Sequence, residues 1–250
     1  MYPEKWYDFS SLSFDGLSYF ECRKANEDFT LTREQGQINA EIDRALWEGI
    51  KILETNAFYN PQDNSINIIL GILGGDFYNE KMSQEEMYAG IGTVIAHELS
   101  HAFDTTGAQF DGDGNFSSWW TQEDYDAFTQ RAQKLAAYYD NIVAFDGLKV
   151  LGTNVMSEAI ADSTGVQCIL KIAGEIEDFD YDTFFRKYAG LWKGISSREY
   201  EYLCLTQDTH PLNYLRTNVV LQQFGEFLEE YDIQPGDNMY LAPESRILVW

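Results

Sequence analysis

A mostly α-helical α+β fold is what this sequence predicts, on three observations. Amphipathic stretches at three- and four-residue spacing outnumber the β-rich runs, and those runs gather on either side of one turn. Of the 250 residues, 44% are apolar and 15% aromatic, enough to bury a sizeable core. No internal repeat, low-complexity tract or cluster of prolines marks a boundary, so residues 1–250 are expected to form a single domain.

The elements follow in order. Leu17, Phe20, Ala25 and Phe29 predict a first helix over 15–29. The runs 55–59 and 65–70, separated by Asn60-Pro61-Gln62-Asp63-Asn64, predict a hairpin and the chain's one substantial sheet. Ser83-Gln84-Glu85-Glu86 has the form of a capping box and opens a helix expected to run to Asp104, with Gly107 beyond its end. Further helices are predicted over 121–139, 154–172 and 181–194.

Charge excludes one class of partner. Against 17 basic residues stand 41 acidic ones, a formal net charge of -24 that would repel nucleic acid. No apolar run approaches the roughly 18 residues needed to cross a bilayer, and 1–6 lack the charged and apolar regions of a signal peptide. Cys22, Cys168 and Cys204 are scattered without a CxxC pair, so free, buried thiols are expected rather than a disulfide framework or a thiolate metal site.

The helix opened by Ser83 contains His97-Glu98-Leu99-Ser100-His101, an HExxH motif. Residues four apart share a helical face, so both imidazoles can aim at one ion, while Glu98 lies one residue round, near the ion without ligating it. A zinc ion held by three protein groups keeps one position open for a water whose pKa it lowers, and a carboxylate can then take the proton. That is peptide-hydrolysing chemistry. The third ligand cannot be a histidine at 107, because Gly107 stands there, and His210 is far off in sequence. A carboxylate on another helix is required. Glu158 is the best candidate, since Glu158 and Asp162 share a helical face and one can ligate while the other orients a histidine. Asp104, three residues after His101, can hold that imidazole in the same way.

Taken together, 94–104 around HExxH, Glu158-Ala159-Ile160-Ala161-Asp162, His210-Pro211 with Arg216, Asn56-Ala57-Phe58-Tyr59, Gly71-Ile72-Leu73 and the terminal Trp250 resemble the neprilysin family of zinc endopeptidases, the M13 gluzincins. The resemblance spans nearly the whole chain. It implies a thermolysin-like zincin catalytic domain with a small sheet beside the HExxH helix, and one zinc ion per chain. It also implies a role for each matching residue. Glu158 would be the third zinc ligand beside His97 and His101, Glu98 the general base, and Asp162 the partner of His97. His210 would stabilise the oxyanion, and Arg216 would bind a substrate carbonyl. Asn56 and Ala57 would dock the peptide backbone along a strand edge. Ile72, Phe77, Val94, Leu191 and Trp192 match the family's pocket for the side chain after the scissile bond, and all are apolar.

Three departures matter. Ile68-Ile69-Leu70 replaces the usual residues before Gly71, and no cysteine lies near Trp250, which suggests a bacterial-type member. The family's large N-terminal covering lobe has no counterpart in this chain, implying an excised catalytic domain or a short member, with that lobe of a longer parent chain as a partner. The expected function is zinc-dependent hydrolysis of short peptides, with a hydrophobic residue preferred after the scissile bond. The alternative is a zinc-containing peptide-binding module with little turnover. Family habit points to the cell surface or exterior.

Overall fold

The computed structural model describes residues 8–41 and 53–250. Its contacts divide the chain into two units, Met1–Lys51 and Ile52–Trp250. In the first, helix α1 (Tyr19–Gln37) starts and ends later than its apolar spacing suggested. The reason is a cap that the spacing does not report: Ser18 accepts from the Glu21 amide while the Glu21 carboxylate reaches back to the Ser18 amide at 2.8 Å. No residue of α1 is buried, so its apolar positions are not a core stripe.

The second unit begins with the expected hairpin. Strands β1 (Ala57–Asn60) and β2 (Ser65–Ile68) pair antiparallel, with Ala57 opposite Ile68 and Tyr59 opposite Ile66. Asn64 turns the corner in the left-handed region, φ 52°. The helix opened by Ser83 forms with both halves of its capping box, but in pieces. It runs as α2 (Gln84–Met87), a π segment at Tyr88–Gly92, α3 (Thr93–Ser100) and a closing 3₁₀ turn, His101–Phe103. Gly90 explains the interruption: it is buried and non-helical, and a Cβ there would lie 2.3 Å from the Phe77 carbonyl oxygen. That same oxygen accepts from the Ile91 amide at 2.9 Å, so the widened turn clasps the loop carrying Phe77.

Helix α4 (Gln122–Asp140) is capped by Thr121, and α5 (Gly152–Ala173) and α6 (Tyr181–Leu191) follow within a few residues of expectation. Helices α7 (Arg198–Gln207), α8 (Asn213–Leu221) and α9 (Gly225–Glu230) were not expected. Nor was a second, smaller hairpin, β3 (Val143–Phe145) with β4 (Leu148–Lys149), turned by Asp146 and Gly147, both at positive φ.

Helix α5 is the centre of this unit. Val155, Ala159 and Ile160 pack with Phe128, Leu135 and Tyr139 of α4 and Leu215 and Val219 of α8. Further along, Val166, Ile169 and Leu170 pack with Phe184 and Phe185 of α6 and Phe227 of α9. Ala159, Ile160 and Ala161 have no exposed surface, so α5 is enclosed where it carries Glu158 and Asp162. Helix α3 crosses it closely, because a Cβ on Gly165 would sit 3.0 Å from the Thr93 carbonyl oxygen and 3.1 Å from the His97 amide nitrogen. The cysteines are free as expected but not buried: Cys168 is exposed, on the side of α5 away from Val166, Ile169 and Leu170, and the others are half-buried.

Candidate metal centre and active site

Two helices supply the candidate ligands. His97 lies on the last turn of α3, His101 opens the 3₁₀ turn that closes it, and Glu158 faces them from α5. The Nε2 atoms of the two rings are 3.0 Å apart, and Glu158 Oε2 lies 3.3 Å from His97 Nε2 and 3.6 Å from His101 Nε2. Each ring is held from behind. His97 Nδ1 is 2.9 Å from Asp162 Oδ1, and His101 Nδ1 is 2.6 Å from Asp104 Oδ2. With each Nδ1–H donating to a carboxylate, both Nε2 lone pairs point at one another and at the carboxylate oxygen.

That donor set fits a metal ion. Glu158 Oε2 is buried without a well-aligned hydrogen-bond donor, an arrangement that costs free energy unless a cation lies at the convergence. A tetrahedral ion with bonds of about 2.0–2.2 Å spaces its ligands by about 3.3–3.6 Å, close to the separations here. Electrostatics agree. Burial opposes protonation of both rings, yet the carboxylates outweigh it and raise both pKa values, His101 to about 10. A field that favours a proton on these rings favours any positive charge placed between them.

The supports are themselves fastened. Asp104 is buried, and its Oδ1 accepts from the Thr106 and Gly107 amides at 2.7 and 2.8 Å, while Oδ2 also accepts from the Ser157 hydroxyl. Asp162 lies between His97 and Arg216, whose Nε and Nη2 donate to its two oxygens at 2.8 and 2.6 Å. Burial opposes ionisation of Asp162, but the Arg216 charge outweighs it and holds the carboxyl down to about 2. Arg216 is thus no surface residue: it is buried, and the Trp192 ring stacks 3.7 Å from its guanidinium carbon. Removing one partner of a buried pair costs about 3–5 kcal/mol. Since His97 still faces Asp162, Arg216→Met should cost near the lower end, read by urea unfolding of the metal-free protein. Wild-type stability would show that the pair holds nothing together.

Glu98, buried and not among the converging ligands, has its pKa raised by that burial. The Tyr59 backbone N–H donates to its carboxylate. This bond also orients β1. Because the Tyr59 amide is turned to Glu98 and not to Ile66, Tyr59 and, two residues before it, Ala57 direct their backbone groups away from β2. Asn56 Oδ1 accepts from the Ala57 amide at 2.9 Å.

These groups line a cavity of about 620 Å³. Of the residues expected to contact substrate, Asn56, Ala57, Ile72, Phe77, Val94, Trp192 and Arg216 border it, with Glu98, His210 and the ligand set. Leu191 is the exception among them and does not border it. The wall there is built by Tyr188 and Trp192, one helical turn apart, and Leu191 lies at a different angle on α6. His210 sits at the mouth, its Nε2 3.2 Å from Glu158 Oε2 and its Nδ1 2.8 Å from Asp208 Oδ1. Asp208 and Ser157 escaped the reading of the sequence. An Asp two residues before His210, and a hydroxyl one residue before Glu158, were the available signals.

Residues 56–247 match the model of peptidase family M13. The chain belongs to peptidase family M13. It is 35% identical over its whole length to the neutral endopeptidase of Lactococcus lactis subsp. lactis and 30% identical over 97% of its length to human neprilysin. It spans 40% and 34% of the lengths of those two M13 relatives. Among solved structures it superposes on PepO of Lactobacillus rhamnosis with a TM-score of 0.89 at 33% identity, covering all of this chain and 40% of that one. A second match is the Mycobacterium tuberculosis zinc metalloprotease Zmp1 in complex with an inhibitor, with a TM-score of 0.88 at 27% identity over 98% of this chain and 40% of that one. The fold is that of the M13 catalytic domain, in a bacterial-type member of the family. No helix among the described residues is long and apolar enough to cross a membrane.

Proposed function

We propose that this chain is a zinc-dependent endopeptidase domain, with His97, His101 and Glu158 holding one zinc ion. The observation that carries the reading is the convergence of three lone-pair donors, each histidine backed by a carboxylate, beside a fourth carboxylate, Glu98, left out of the set. When bound, zinc supplies an electrophile that polarises a carbonyl and lowers the pKa of water towards neutrality.

Every other part falls to the chain's own groups. Glu98 accepts a proton as water oxygen bonds to the peptide carbonyl carbon, and its raised pKa suits a base working near neutrality. It then gives that proton to the amine nitrogen as the carbon–nitrogen bond breaks. His210 donates from Nε2 to the oxygen on which negative charge grows, its ring oriented by the Asp208 carboxylate at Nδ1. Asp162 and Asp104 fix the ligand rings. The outward backbone of Ala57, with Asn56, receives the substrate as an added strand. Ile72, Phe77, Val94 and Trp192 favour a hydrophobic side chain after the cleaved bond, and Arg216 closes that end beneath Trp192.

The test is cleavage of an internally quenched peptide with a large hydrophobic residue after its central bond. The zinc-loaded protein should cut it, a chelator should stop the reaction, and restored zinc should recover it. Tight peptide binding with no cleavage would replace this reading with that of a peptide-binding module.

A further inference from the structure

We propose that Asn154 is a positioning residue for His210, acting through Asp208; the inference rests on the reading of His210 as the oxyanion donor. Asn154 lies on the first turn of α5, four residues before Glu158 and so on the same face. Its side-chain Nδ2 donates to the backbone carbonyl of Asp208 at 2.7 Å. Asp208 closes α7, its own amide donating to the Cys204 carbonyl at 3.0 Å. The Asp208 carboxylate then accepts twice from His210, from the backbone amide at 2.9 Å and from Nδ1–H at 2.8 Å.

The chain of bonds therefore runs from the helix bearing Glu158 to the ring that faces Glu158. It has mechanical content, because the His210 side chain is 44% exposed and has little packing to orient it. Beyond His210, the loop is anchored by the buried Pro211 and Leu212. Before it, the side chain of Asn154 ties the loop to α5. Because Asn154 and Glu158 belong to one rigid helix, this bond transfers the position of the ligand carboxylate to the histidine. The donor must be neutral and short: the Asp208 carbonyl needs a hydrogen, and a carboxylate in its place would set oxygen against oxygen.

The experiment uses six zinc-loaded proteins: wild type, Asn154→Ala, His210→Phe and their double variant as a cycle, with Asn154→Gln and Asn154→Asp beside them. Asn154→Ala should lower kcat by roughly 10- to 100-fold with KM little changed, the size of effect expected when a catalytic group is displaced on the order of an ångström. In the His210→Phe background the same substitution should cost nothing more, because its effect passes through the ring. Asn154→Gln, which keeps a donor, should recover part of the loss, and Asn154→Asp should not. Equal losses in both backgrounds, or a raised KM at unchanged kcat, would overturn the proposal and make Asn154 a substrate contact, since it also borders the cavity. A second readout needs no turnover. The chain has three histidines, so the His210 ring nitrogen signals can be assigned in NMR spectra by their loss in His210→Phe. They should shift or broaden in Asn154→Ala, and unchanged signals would also overturn the proposal, whether or not the protein cleaves peptides.

Discussion

Glu98→Gln should leave zinc bound and depress kcat by roughly 10²- to 10⁴-fold, the range that general acid–base catalysis contributes. The amide is the same size as the carboxylate, so packing in this buried position is kept. What is lost is the capacity to take a proton and return it. The Tyr59 amide that now donates to the carboxylate can donate to the amide oxygen instead, so β1 should hold its place. Metal analysis and kcat measured on the same preparation decide the matter. If zinc leaves with the substitution, Glu98 is a ligand and the assignment of the base is wrong.

His210→Phe should lower kcat by roughly 10²- to 10³-fold, as removal of a single oxyanion donor does. KM should change less, because the ground-state carbonyl carries much less charge than the oxyanion. The ring is half-exposed and sits outside the packed core, so folding should be unaffected. Its 3.2 Å approach to Glu158 makes a rival outcome concrete: a fourth-ligand role would show as zinc loss in the variant, and near wild-type turnover would make His210 a surface residue.

The parts of this site written as local patterns were legible in the sequence. HExxH announces itself because its spacing is the helical repeat, and Glu158 with Asp162 repeats the same four-residue step on a second helix. Ser83 and Thr121 marked helix starts, since a cap is a local exchange of hydrogen bonds. Long-range geometry was another matter. The pairing of Arg216 with Asp162 joins residues on two helices that nothing in the sequence brings together, and a reading without it leaves Arg216 free for substrate alone. Helix α7 buries none of its residues and so shows little periodic stripe, while α8 and α9 are too short for one. The Asp146-Gly147 turn was a legible signal that went unread, because the strands it joins are only three and two residues long.

The π segment at Tyr88–Gly92 has a meaning for insertions and deletions. A widened turn of this kind accommodates one residue more than an α-helix would over the same length. Excising one residue there would let the chain close into continuous α-helix with the turns on either side kept in register, because the widened turn had absorbed the extra residue. The histidines, pinned downstream by Asp162 and Asp104, would keep their face, and the upstream turn that starts at Ser83 would keep its own. The carbonyl of Phe77 would then meet a different backbone position and lose the close approach that Gly90 alone permits. The segment 88–92 is therefore a clasp on the loop that carries Phe77 to the cavity wall: losing a residue from it would loosen that wall while leaving the histidines on their face.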